Sequence, residues 1–262
     1  MRHKTITSSA TRAYLPGLIW TLIRTDFKTR YHGTLGSYLW ALVKPVSMFI
    51  VLYMVFSVIF TMDQYYSLNL IIGLFLWDFF SDSTRTGLVS LHAKTFLLTK
   101  TRFPSWVVVL TSVSNALITV TIFSVAVYSY ILLYRRHISL VEIGCFSLYI
   151  FLLLIMIIGI SLAGSVLFLR YRDINQIWDL LMQVGFFFTP IIYPLDIVPH
   201  KYHFFMYAWL PTAVIQFSRS VIVKGEIPTL TAHLMLLGSA TVVLLAGTVL
   251  YLRLAPRSLE RL

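Results

Sequence analysis

The sequence predicts an all-α integral membrane protein: six transmembrane helices preceded by an amphipathic interface helix, with two short outer helices between the fifth and sixth spans. Two observations carry that reading. Hydrophobic residues make up 58% of the chain and charged residues only 12%, about half the charge of an ordinary soluble domain, and the mean hydropathy is +0.82. The apolar residues also gather into runs long enough to cross a bilayer, which takes about 20 residues per helix. Helices are expected because backbone polar groups in lipid must be satisfied within the segment itself. No tandem repeat and no separating linker occurs, so residues 1–262 form one transmembrane domain.

Ahead of the first span, at about residues 12–32, Leu15, Leu18, Ile19, Leu22, Ile23 and Phe27 recur at helical spacing, while Arg24, Thr25, Lys28 and Thr29 take the opposite face. Such a helix lies in the membrane interface and turns its basic residues, Arg24, Lys28 and Arg30, toward lipid headgroups or a cytosolic partner. A plain anchor without a partner fits the same pattern.

The first span is expected at about 38–60. Gly33 and Gly36 let the chain turn up from the interface. Pro45 kinks the helix beside Lys44, which must snorkel or face water, as at a pore entrance. The second span, about 70–91, carries Asp78, Asp82 and Arg85 at i, i+4 and i+7 on one face. A charge at the bilayer centre costs about 2.5–3.5 kcal/mol, so this stripe must face other helices or water. It reads either as a proton relay or as an Asp82–Arg85 ion pair that lines a hydrated passage or locks subunits together.

The third and fourth spans fall at about 105–133 and 146–169. Within the fourth, "GISLAGS" has the glycine spacing of a phosphate loop but lacks the lysine and lies in an apolar helix. Close helix packing through Gly159, Ala163 and Gly164 is the expected role. A polar corner follows, with Arg170, Arg172 and Asp173 set between two strongly apolar runs. The fifth and sixth spans are placed at about 177–194 and 232–254. Between them Pro194, Pro199, Pro211 and Pro228 punctuate the chain. The pieces "HKYHFFMYAWL" and "TAVIQFSRSVIV" are too short to cross and read as re-entrant or interfacial helices on the outer side, within about 195–221.

Orientation follows from Lys and Arg. Arg135, Arg136, Lys201, Arg219 and Lys224 fall on one side, and all the others except Arg85 on the opposite one. Cytoplasmic loops carry the excess, so both termini are expected in the cytoplasm, with Arg135 and Arg136 against the trend.

Several function classes are disfavoured. The net charge of +11 is scattered among apolar runs, with no polar domain to form a nucleic-acid groove. The single cysteine, Cys145, excludes an intrachain disulfide and any multi-Cys metal site, and it reads as a small apolar residue at a helix start. No short basic segment precedes the first apolar run, as a cleavable signal peptide would require. Asp196, His200 and His203 crudely approach metal-ligand spacing, but among Tyr, Phe and Trp they read as interfacial, and no metal is expected. No Walker-type loop and no scaffolded Ser, His and Asp set is present, so the chain itself is expected to have no ATPase site, no catalytic residue and no cofactor. A membrane-bound glycosyl or phosphoglycosyl transferase would need acidic or His residues clustered at the membrane face, which this chain lacks.

Aromatics form 15% of the chain. Many fall at mid-span, beyond the usual interfacial belts, and as a set they would offer rungs on which sugar C–H faces stack.

The interface helix, "RYHGTLGSYLWALVKP" leading into the first span, "KTRFPSW" before the third, "FLRYRDINQIW" between the fourth and fifth, and "FFFTPIIYPLDIVPHKYHFFMYAWLPTAVIQFSR" together resemble the membrane subunit of ABC-2 polysaccharide exporters, most closely the O-antigen export type. The resemblance implies a bacterial inner-membrane half-transporter. Two copies pair, each contacts a separate ATPase subunit that holds ATP and Mg, and a lipid-linked polysaccharide threads the channel between them. It places a cytoplasmic coupling helix on Arg170, Tyr171, Arg172, Asp173 and Ile174, and a second ATPase contact on the interface helix. Aromatics such as Tyr38, Trp40, Phe56 and Trp77 would line the channel, and the outer helices would gate it. Capsule and teichoic-acid exporters share this layout. A proton-coupled secondary transporter using Asp78, Asp82 and Arg85 is the alternative from another class.

Overall fold

A computed structural model describes residues 9–31, 37–60, 65–100, 103–134 and 139–259, and among these the chain is helical with no strand. The helix expected in the interface forms as α1 (Ser9–Tyr31), followed by α2 (Ser37–Phe56), α3 (Tyr66–Ala93) and the short α4 (Thr95–Lys100). Then come α5 (Trp106–Tyr134), α6 (Leu140–Arg170) and α7 (Ile174–Phe188). The two short helices are α8 (His200–Ala208) and α9 (Leu210–Arg219), and α10 (Leu230–Leu259) closes the fold.

Among the described residues, three helices carry segments long and apolar enough to cross a membrane: Trp106–Ser129, Leu140–Arg170 and Leu230–Ser258. The expected span at 177–194 differs from what forms. Its helix α7 has 15 residues, roughly 22 Å at 1.5 Å per residue, shorter than the hydrocarbon layer. Pro190 and Pro194 explain the stop, since proline supplies no N–H and collides with the preceding turn. Two carbonyls of the turn that follows are taken by a side chain distant in sequence, described below.

The bundle is centred on α6, which packs along α10 on one side and α3 on the other. Small residues let the backbones approach. A Cβ on Gly247 would stand 2.0 Å from the carbonyl oxygen of Gly159, and one on Gly159 would stand 2.6 Å from that of Val243. On the α3 side, Gly87 meets Ser161 and Gly164 meets Leu88. The "GISLAGS" glycines therefore do the packing that their apolar surroundings predict. Between these contacts Leu70, Ile72, Leu76 and Phe80 of α3 interleave with Tyr149, Leu153, Met156 and Ile157 of α6, all fully buried.

The bundle has two distinct ends. At one, Leu91, Val108, Val166, Tyr251 and Ala255 form a compact cluster, with the Ser105 and Tyr251 hydroxyls 2.5 Å apart. There α1 is fastened across α5: Asp26 pairs with Lys94, whose ammonium also donates to Ser112 Oγ at 3.0 Å. At the other end Tyr66, Ile191, Val214, Ile215 and Val221 belong to the main core. Among the described side chains of α1, Leu22 is buried and Arg24, Thr25 and Lys28 are exposed.

Candidate coupling corner and transport groove

α6 ends at Arg170, and Tyr171 takes an extended backbone, with its N–H held by the Leu167 carbonyl. α7 begins three residues later at Ile174. The sequence-predicted corner is thus a tight exposed turn: Arg170, Tyr171, Arg172 and Asp173 are exposed and Ile174 is half-buried. Arg172 lies over the Phe168 ring at 5.2 Å, and Arg170 over Tyr171 at 5.3 Å. Each ring attracts the cation over its face while the arginine stays exposed. Among the described residues no ion pair neutralises Arg170, Arg172 or Asp173. The corner shares its end of the bundle with His92, whose ring meets Phe168 edge-on at 5.8 Å, and so lies near the α1 attachment.

α7 is lashed to α3 along its length. Trp178 Nε1 donates to Thr84 Oγ1 at 3.1 Å, and Arg85 Nη2 pairs with Asp179 Oδ2 at 2.7 Å. Asn175 Nδ2 donates to the same carboxylate oxygen at 3.4 Å. Further along, Gly185 lets the helix press against two indoles: a Cβ there would stand 2.7 Å from the Trp209 ring and 2.9 Å from that of Trp77. Arg85 thus reaches across to another helix, whereas spacing along α3 had offered Asp82 as its partner. The sequence signal for the real partner was weak, because nothing local relates Arg85 to a residue at position 179.

Where α7 stops, Arg219 takes over. This guanidinium is 6% exposed and donates through Nε to the Asn69 carbonyl at 2.8 Å, through Nη1 to Pro190 at 2.5 Å and through Nη2 to Ile191 at 2.7 Å. The planar fork suits this task, since several fixed donors meet one carbonyl near the start of α3 and two in the turn after α7. Gly73 makes room for it, because a Cβ there would stand 2.5 Å from Nη2. Read from sequence, Arg219 was one more outer-loop cation; it is instead the clip joining α3, the end of α7 and α9.

A groove of about 700 Å³ runs between α2, α3 and α7. Pro45, Met48, Val51, Trp77 and Phe186 give it apolar walls, with Asp78, Ser81 and Gln183 as polar points. Trp77 lies among aromatic neighbours, 6.0 Å from Phe186 and 6.5 Å from Trp209. Phe56 is half-buried and stacks on Phe60 at 6.3 Å, which in turn meets Tyr66 at 5.5 Å. Tyr38, Trp40 and Arg30 lie outside the residues whose side chains are described. On the opposite end, His203 Nε2 contacts the Val198 carbonyl at 2.9 Å, with the His200 ring 4.8 Å away. Among the described residues no three His, Cys, Asp or Glu side chains converge as metal ligands.

Several long apolar helices mark a multi-pass membrane protein. The ABC-2 type transporter family matches residues 17–223, and the chain belongs to that family. It is similar to the O-antigen export system permease protein RfbA of Klebsiella pneumoniae, with 29% identity over 194 residues, covering 72% of this chain and 73% of the relative. The protein of the same name from Myxococcus xanthus is 26% identical over 187 residues, 70% of each chain. The sequence resemblance to ABC-2 exporters is thereby established.

Proposed function

We propose that the chain is the channel-forming transmembrane subunit of an ATP-driven exporter that moves a lipid-linked O-antigen-type polysaccharide across the bacterial inner membrane. It works as a homodimer with two separate nucleotide-binding subunits, which bind ATP and Mg. α2, α3, and the short α7 together with the turn after it complete six crossings with α5, α6 and α10, and both termini face the cytoplasm. α8 and α9 form the outer gate.

The observation that carries this reading is the corner. Its charged side chains stand exposed at the start of α7, where a partner can grip them, and the family relatives are export permeases by name. A push there has a defined route. α7 is bound to α3 by Trp178 and Asp179, and the turn after it is bound to α9 by Arg219. α3, α7 and α9 therefore move as one body, which carries displacement at the corner to the outer gate. The polymer path lies along the groove, where Trp77 and Phe186 supply rings and Asp78 and Gln183 supply hydrogen-bonding groups. Exposed Ile177, Leu180, Leu181, Val184 and Phe187 on α7 give an apolar face for lipid or the second copy.

Arg172→Glu and Asp173→Arg are expected to abolish export while the subunit remains folded in membranes, because both side chains already stand in solvent. Export assayed in cells together with copurification of the ATPase subunit checks this, and unchanged export with unchanged copurification rejects the corner's role. Mass spectrometry of the glycolipid bound to the native complex separates O-antigen from capsule or teichoic-acid substrates.

A further inference from the structure

A second cavity, of about 640 Å³, lies at the end of the bundle opposite the corner, where the start of α3, the turn after α7, and the stretch linking α9 to α10 converge. It is separate from the groove and lies within one protomer. We infer that this cavity is a saccharide-binding site, which holds a short neutral stretch of the exported polymer as it leaves the membrane; the inference rests on the exporter reading above.

The chemistry of the walls favours a sugar. Tyr65, Tyr193 and Tyr207 supply aromatic surface for sugar C–H faces, and the Tyr207 hydroxyl adds a hydrogen-bonding point. Asp196, Glu226 and Gln216 supply carboxylate and amide groups, which accept from and donate to sugar hydroxyls. The volume lies within the range of small-ligand sites. An anionic ligand fits poorly: the three kinds of nitrogen on Arg219 each already donate to a backbone carbonyl, leaving Lys224 opposed by two carboxylates.

The frame is also built to hold shape. Tyr66 OH donates to the Ile192 carbonyl at 3.0 Å, and Tyr193 OH donates to that of Phe187 at 3.0 Å. Gly225 takes a left-handed backbone with φ 71, and the Glu226 N–H closes onto the Ser220 carbonyl at 3.0 Å, which fixes Lys224 and Glu226 at the rim. Burial, and then the nearby Asp196 carboxylate, raise the Tyr207 phenol above its ordinary value, so its hydroxyl stays protonated and able to donate.

The test uses the full chain with its ATPase subunit in lipid nanodiscs. The probe is lipid-free oligosaccharide released by mild acid from the host cell's own surface polysaccharide, titrated calorimetrically. Wild type should bind saturably, Tyr207→Ala and Glu226→Gln about tenfold more weakly, and Lys201→Ala, outside the cavity, as wild type. Glu226 is exposed and the Tyr207 side chain is partly exposed, so their variants should fold, and Tyr207→Phe, which keeps the ring, should fall between. Equal binding by wild type and the pocket variants overturns the inference. So does absent binding by a complex that still exports the polymer in vesicles, which leaves the exporter reading intact. A complex that neither binds nor exports overturns both.

Discussion

Arg219 shows how far one residue's role can lie from its sequence neighbourhood. Its segment "TAVIQFSRSVIV" looks like a short outer helix with a stray cation, and the helix does form. The clip does not show in the pattern, because its acceptors lie about 29 and 150 positions away and are backbone carbonyls that any sequence supplies. Removing the guanidinium leaves acceptors at Asn69, Pro190 and Ile191 without these donors, and each buried unmet group costs about 1–3 kcal/mol. Arg219→Met is therefore expected to destabilise the solubilised protein by roughly 3 kcal/mol, seen as a lower unfolding temperature. Arg219→Lys should recover little of it, because one ammonium cannot match the fork. Asp179 and Asp26 escaped local reasoning for the same cause: their partners Arg85 and Lys94 sit on other helices.

At the scale of elements, hydropathy gave the helices well and their ends less so. The spans placed at 105–133 and 146–169 correspond to Trp106–Tyr134 and Leu140–Arg170. The fourth begins earlier because Ser139 caps it, accepting from the Val141 N–H at 3.3 Å. The fifth was overextended because its apolar run continues through Pro190, and hydropathy does not register a missing N–H. The glycine contacts between α6 and α10 were half legible. Gly159 stood out in its motif, whereas Gly247 lies in an unremarkable apolar run, and only the three-dimensional pairing joins them. Because a Cβ at Gly247 would overlap the Gly159 carbonyl, Gly247→Val should force the helices apart. The expected loss is at least about 1–3 kcal/mol, measurable as a drop in unfolding temperature and in membrane-inserted yield. Gly144→Ala, with open space around it, should change neither.

For the whole molecule, composition sets the membrane environment, and the proposed coupling corner sets the direction in which the ATPase would act. A chain that is 58% hydrophobic still presents Arg170, Arg172 and Asp173 to solvent at one end, beside the end where α1 is tied down through Asp26 and Lys94. The groove and the cavity proposed to hold saccharide lie along and beyond the same unit of α3, α7 and α9. The most direct test of this account is uptake of lipid-linked polysaccharide into inverted vesicles containing the chain and its ATPase subunit. Uptake should require ATP hydrolysis, survive collapse of the proton gradient and vanish with Arg172→Glu. Uptake that persists without ATP and stops when the proton gradient collapses would contradict it and return Asp78, Asp82 and Arg85 to the centre of the mechanism.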